Sequence, residues 1–112
     1  MDDSKIIDGY ENYTISRNGT VMNIKYDRIM KHKINPGNGY YIVCLSKENK
    51  QKTYSIHRLL MLAFVPNPEN KQCVDHIDRN KQNNSLSNLR WATRSENGIN
   101  RGFQTNNKLN EK

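Results

Sequence analysis

Paired cysteines are missing from this chain. It has two cysteines, Cys44 and Cys73, far apart and in no C-x-x-C pair. That argues against a zinc knuckle and against a disulfide framework. Cys44 alternates with Ile42 and Tyr40, so it is expected to be a small buried apolar residue. Long apolar runs are missing too, and nothing approaches the ~20 residues a membrane span needs. The start, MDDSKIIDGYENY, is acidic and polar and unlike a signal peptide. The expectation is a soluble protein of the cytoplasm with no membrane partner. Apolar residues make up only 34% of the 112. The core is therefore modest, serving one domain or two small modules that share it.

Charge is what the chain has in excess, and its location is informative. The net charge is +7. Residues 17–58 hold nine Lys or Arg against two acids, Asp27 and Glu48, and account for all of it. A localised basic surface is the footprint of a polyanion binder, although a solvated basic face that only aids solubility has the same composition.

The chain has three textures. Up to about residue 56 it reads as short strands broken by turns. Asn18-Gly19 is a turn dipeptide and residues 20–24 a strand. In residues 29–34, Met30, His32 and Ile34 share one face and Lys31 and Lys33 the other. A turn cluster over 35–39 precedes a β-rich run at 40–45, a polar tip and a returning strand. This predicts an antiparallel meander with basic residues on one face and at its tips. The run HRLLMLAFV, residues 57–65, predicts a helix with Ser55 as N-cap and Pro66 as its stop. It is too apolar to be exposed, so it should pack the meander against the C-terminal part of the chain.

The third texture carries the chemistry. Residues 74–77 form a short apolar strand interrupted by Asp75 and His76. A polar loop, RNKQNNSLSN, leads to a second short strand at 89–92. Thr93-x-x-Glu96 is a capping box, so a helix begins there with Asn97 in its first turn. Strand, loop, strand and helix in this order make a ββα outline. Neighbouring strand residues point to opposite faces, so simple pleating does not aim Asp75 and His76 at one point. Phosphodiester cleavage needs a base to deprotonate water and a cation to stabilise the phosphorane-like charge and the leaving oxygen. A histidine suits the first task. A hard divalent cation suits the others, and it prefers donors of the kind Asp75 and Asn97 offer.

VDHIDRNKQNNSLSNLRWATRSEN resembles the HNH motif of phage and intron-encoded endonucleases. IIDGYENYTISRNGTVMN resembles the strand-rich module N-terminal to such nucleases, and GYYIVCLSKENKQKTYSIHRLLMLAFVPNP the segment that links module and motif. The resemblance covers about residues 5–101. It implies an α+β fold: an antiparallel β-meander plus helix packed on a ββα-metal (HNH, or His-Me finger) core. Residues 1–56 would be the DNA-contacting module, 57–72 the connecting helix and loop, 73–102 the nuclease motif and 103–112 a polar tail. His76 matches the general base, Asp75 and Asn97 the two ligands of one Mg2+ or Mn2+ ion, and Asn88 the asparagine that braces the loop and orients the histidine. Paired cysteines of zinc-bearing members have no counterpart here, so no structural zinc is expected. Nor does the resemblance reach the C-terminal helix-turn-helix region of longer homing members.

The implied activity is homing-endonuclease-like hydrolysis of double-stranded DNA, by a monomer when it nicks. The alternatives are a catalytically silent DNA-binding protein and a subunit of a larger phage DNA-processing assembly. Lys31, Lys33, Lys47, Lys50 and Lys52 are candidate backbone contacts, which position a duplex without reading it. Arg90 and Arg94 are candidate phosphate clamps. Bland readings are preferred elsewhere: a loop-start bond for Asp78, turn roles for Asn83 and Asn84, helix-start packing for His57, and sheet packing for Tyr40, Tyr41 and Tyr54.

Overall fold

A computed structural model describes residues 4–100. The tail expected over 103–112 lies outside the described residues. Alternating short apolar segments with turn residues between them fold into three small antiparallel sheets. The first joins β1 (Ser4–Ile7), β2 (Tyr10–Ser16), β3 (Val21–Asn23) and β4 (Arg28–Ile29) in sequence order. The second joins β5 (Lys33–Ile34), β6 (Tyr41–Lys47) and β7 (Lys50–Ser55). After helix α1 (Ile56–Phe64), the third pairs β8 (Cys73–His76) with β9 (Leu89–Ala92), and α2 (Arg94–Asn100) closes the described chain.

The turns follow their residues. Gly19 has φ +89 and its N–H donates to the Ser16 carbonyl at 2.9 Å. A Cβ there would stand 3.4 Å from Ile56, so this turn is pressed onto the start of α1. Glu48 and Asn49 both have positive φ, which gives the two-residue β6–β7 hairpin the twist of its strands.

Two details differ from the sequence expectation. The meander is two sheets, because residues 30–32 leave the strand pattern between β4 and β5. Met30 still bonds back to Val21, at 2.8 Å, while Lys33 already pairs with Ile42. Cys44 is exposed and not buried. Its neighbours Val43 and Leu45 face the core instead. Both parities of this strand are apolar, so alternation alone does not decide which face turns inward.

The core is one cluster around α1. Ile56, Leu59, Leu60 and Met61 meet Ile7, Tyr13, Ile15 and Val21 of the first sheet, Val43 and Leu45 of the second, and Val74 and Leu89 of the third. The helix packs against strands of all three sheets. Ser55 holds the N-cap position, but its side chain makes no capping bond. At the other end the Val65 N–H closes on Met61, and Pro66 comes next. Among the described residues no helix is long and apolar enough to cross a membrane.

Leu60 has no exposed surface, whereas Leu62 on the same helix is 61% exposed. Leu60→Ala should cost about 2–5 kcal/mol of folding stability, and Leu62→Ala less than about 0.5. Urea melts followed by circular dichroism measure both. Equal small losses would show that α1 is not the centre of the core.

Candidate active site

The site is built on the β8–β9 hairpin. Asp75 lies opposite Arg90 and His76 opposite Leu89 in its register. The Asp75 carboxylate is 2% exposed. Arg90 reaches across the pair and places Nε at 3.0 Å and a terminal nitrogen at 2.9 Å from the same oxygen, Oδ2. A buried carboxylate without a cation would be costly, and this guanidinium meets the need locally. Arg90, expected from the sequence as a phosphate clamp, is thus engaged by the carboxylate.

His76 ends β8 and is 5% exposed. Its Nε2 is 2.8 Å from Asn84 Oδ1. An amide oxygen only accepts, so Nε2 carries the hydrogen. Tyr40 stacks on the His76 ring at 5.7 Å between centroids and 17° between planes. His57, from the first turn of α1, lies 4.8 Å from His76 and 4.6 Å from Tyr40. Burial, and then the neighbouring His76 and Arg58, push the His57 imidazole down to about 4, so it is uncharged at neutral pH.

The loop between the strands is held by side-chain amides and one acid. Asn88 is buried at the end of a 3-10 turn, Leu86–Asn88. Its Oδ1 accepts from the Asp78 N–H at 3.0 Å. Its Nδ2 donates to Asp78 Oδ1 and to the Asn83 carbonyl, both at 2.9 Å. Asp78 also accepts from the Asn80 N–H and from Asn83 Nδ2. The loop-start role expected of Asp78 is therefore present. The Asn83 bond first, and then the Asn80 N–H, hold its carboxyl below the usual carboxylate range. Asn88 braces the loop, and the backbone bond from Ile77 N–H to its carbonyl fixes the residue after His76.

Helix α2 starts as the capping box requires. Thr93 N–H donates to Glu96 Oε1 at 2.9 Å, and Glu96 N–H to Thr93 Oγ1 at 3.1 Å. Lys71 ties Glu96 to the preceding loop at 3.2 Å. This docks α2 on β8 and β9 with half-buried Asn97 in its first turn. Among the described residues no cluster of three or more His, Cys, Asp or Glu could hold a metal. Asp75 and Asn97 each carry a hard oxygen donor of the kind a divalent cation takes.

The basic residues named from the sequence divide. Lys31, Lys33, Lys50 and Arg94 are exposed. Lys47 donates to the Gly9 carbonyl at 2.8 Å, and Lys52 lies over the Tyr54 ring. Sequence reasoning misses three neighbours of His76. Asn84 reads locally as a turn former, His57 as helix packing and Tyr40 as sheet packing. A histidine set inside the apolar run that opens α1 is the available signal for one of them.

An aspartate–histidine pair ending one strand, an asparagine-braced loop and a docked helix define a ββα nuclease core of the His-Me finger class. Comparison with known proteins agrees. The HNH endonuclease family matches residues 54–99, and the NUMOD4 motif matches residues 5–46. The chain is 43% identical over 102 residues to DNA endonuclease I-HmuI of Bacillus phage SP01, covering 88% of this chain and 58% of that protein. It is 41% identical over 93 residues to an HNH endonuclease of Acanthamoeba polyphaga mimivirus, covering 83% and 28%. It is 35% identical over 101 residues to the H-N-H endonuclease F-TflII of Escherichia phage T5, covering 88% and 52%. The solved structure showing DNA binding and cleavage by the HNH homing endonuclease I-HmuI superposes with a TM-score of 0.80 at 40% identity, over 94% of this chain and 62% of that one.

This chain belongs to the HNH endonuclease family. It spans only part of the length of these relatives. Members of the family generally use a divalent metal ion.

The depressed His57 value has a consequence for stability. An unfolded chain takes up a proton at His57 below about pH 6.5; the folded one refuses it until about 4. Acidification through that window favours the unfolded state, by on the order of 3 kcal/mol in full. Urea melts at pH 7 and pH 4.5 should show wild type losing more stability than His57→Gln, which has no such group. Equal losses would mean that the folded chain accepts the proton.

Proposed function

We propose that the chain is a metal-dependent endonuclease that hydrolyses phosphodiester bonds of double-stranded DNA and, as a monomer, nicks one strand. The observation that carries this reading is His76, held through Nε2 by Asn84, next in the chain to a buried carboxylate. With Nε2 donating to Asn84, the basic nitrogen is Nδ1. His76 there accepts the proton of the attacking water. Asn88 and Asp78 keep the strand end and loop in place while this happens, through the bonds that clamp Asp78 to the end of the loop.

Asp75 and Asn97 would hold the divalent cation, Mg2+ or Mn2+. When bound, the cation supplies charge stabilisation at the phosphate and at the leaving oxygen. Arg90 fixes Asp75 Oδ2 and so sets the orientation in which the carboxylate is presented. Asn84, the partner of His76, borders a cleft of about 610 Å3 shared with Arg17, His32 and Tyr41. Lys31, Lys33, Lys50 and Arg94 are the stronger candidates for the duplex backbone, because Lys47 and Lys52 have partners within the protein. The phage relative named as a DNA endonuclease supports a DNA substrate; the duplex form of that DNA and a cytoplasmic setting in a bacterial or infected cell are part of this proposal.

The test uses supercoiled plasmid with Mg2+ or Mn2+. Wild type should convert it to the nicked circle. His76→Ala should slow this by about 10²–10⁴-fold, the range of a lost general base, with DNA affinity unchanged. Nicking by His76→Ala at the wild-type rate would remove the base assignment. Binding of the duplex without cleavage by wild type under any divalent metal would leave only a DNA-binding protein. Asp75→Asn and Asn97→Ala should each raise the metal concentration needed for half-maximal nicking.

A further inference from the structure

His57 is an expensive choice for a helix start. Its side chain is 7% exposed, and its Nδ1 is buried without a hydrogen-bond partner. A buried unpaired polar atom costs stability that an apolar residue of similar volume avoids. The neighbours along the helix, Ile56, Leu59 and Leu60, are apolar and fully or nearly fully buried. Packing alone would therefore be served better by leucine at this position.

The ring does more than fill space. It meets His76 at 4.8 Å between centroids, tilted by 54°, and Tyr40 at 4.6 Å, tilted by 41°. Tyr40 is nearly parallel to His76, at 17°. Asn84 holds one edge of the same ring through Nε2 at 2.8 Å. Two rings packed against the His76 ring limit rotation of its plane. A charged group in the same place would repel a protonated His76, and His57 is uncharged.

We infer that His57 is a positioning residue: with Tyr40 it forms a cradle of two rings, one tilted and one stacked, that fixes the ring plane of His76. The inference rests on His76 being the base of the proposed reaction. The cradle is assembled from three parts of the chain, the 35–40 turn segment, α1 and the loop after β8. It therefore links the first module and the connecting helix to the reacting group. Gly39, with φ +80, places the segment before Tyr40 so close that an added Cβ would lie 3.5 Å from the Lys81 side chain of that loop.

The experiment compares His57→Leu and His57→Gln in the full chain. Leucine keeps the volume and removes the orphaned nitrogen, so it should fold at least as well as wild type, yet it is not flat. Glutamine is flat at its end, uncharged and of similar reach. At saturating DNA, His57→Leu should nick at least about tenfold more slowly, within what a slightly misplaced catalytic group costs, with DNA affinity in EDTA within about twofold. His57→Gln should recover to within about threefold of wild type, a small effect on the same scale. His57→Leu nicking at the wild-type rate, or His57→Gln no better than His57→Leu, would overturn the inference.

A readout that does not need cleavage keeps the two proposals apart. In nuclear magnetic resonance spectra, the His76 ring should lose its Overhauser contacts to Tyr40 in His57→Leu and keep them in His57→Gln. If wild type fails to nick DNA, the nuclease reading falls and this spectrum still decides the cradle. An unmoved His76 ring in His57→Leu would then sink it.

Discussion

Burial of α1 is the constraint on which the rest depends. The sheets have four, three and two short strands, and the two-stranded one is too small to stand alone. Each gives its apolar face to the same nine-residue helix, Ile56–Phe64. The helix has no acidic residue in its first turn and no basic residue in its last to favour its ends. Such a short helix is marginal in isolation and owes its stability to tertiary packing. Fold and helix therefore form together. The same event brings His57 to His76, because the residue lies on the buried side of the first helical turn.

The reacting end of the molecule is organised by a different force. Between β8 and β9 the chain has few apolar residues to pack, and it uses amides and one carboxylate instead. Asp78 and Asn88 exchange bonds in both directions, and Asn83 contributes its side chain and its carbonyl. Such bonds are individually modest. Their value here is direction: a loop fixed at both ends by short polar side chains gives Asn84 one place to stand, and Asn84 gives His76 one tautomer. The asparagines add donors and acceptors around the one carboxylate of the loop, Asp78, without adding further charge.

Much of this is legible in the residues. The capping box at Thr93 and Glu96 forms as written, because it is local and needs only four consecutive residues. The apolar run of α1, the β6–β7 hairpin and the β8–β9 pair lie within a residue or two of where pattern places them. What pattern misses is long-range. Alternation puts Cys44 on the wrong face because both faces of β6 are apolar, and only packing against α1 decides between them. The contacts of Tyr40 and His57 with His76 join segments far apart in sequence, and that of Asn84 spans a loop. No spacing rule encodes such a meeting, so each residue carries only its commonest local reading.

Asp75 and His76 are consecutive on β8 and, in the proposed reaction, have opposite needs. Adjacent residues on a pleated strand meet different surroundings, so one dipeptide can hold two groups with incompatible needs. Asp75 needs cations: a buried carboxylate is stable only beside positive charge, and Arg90 provides it from the paired strand. His76, as the proposed base, has to accept a proton, which nearby positive charge would oppose. Its packed neighbours include a tyrosine, an uncharged histidine and an amide. The strand thus sorts a cation-seeking oxygen from a proton-seeking nitrogen within a single peptide unit. Arg90 stays on the carboxylate's side of that division, and the ring cradle stays on the imidazole's.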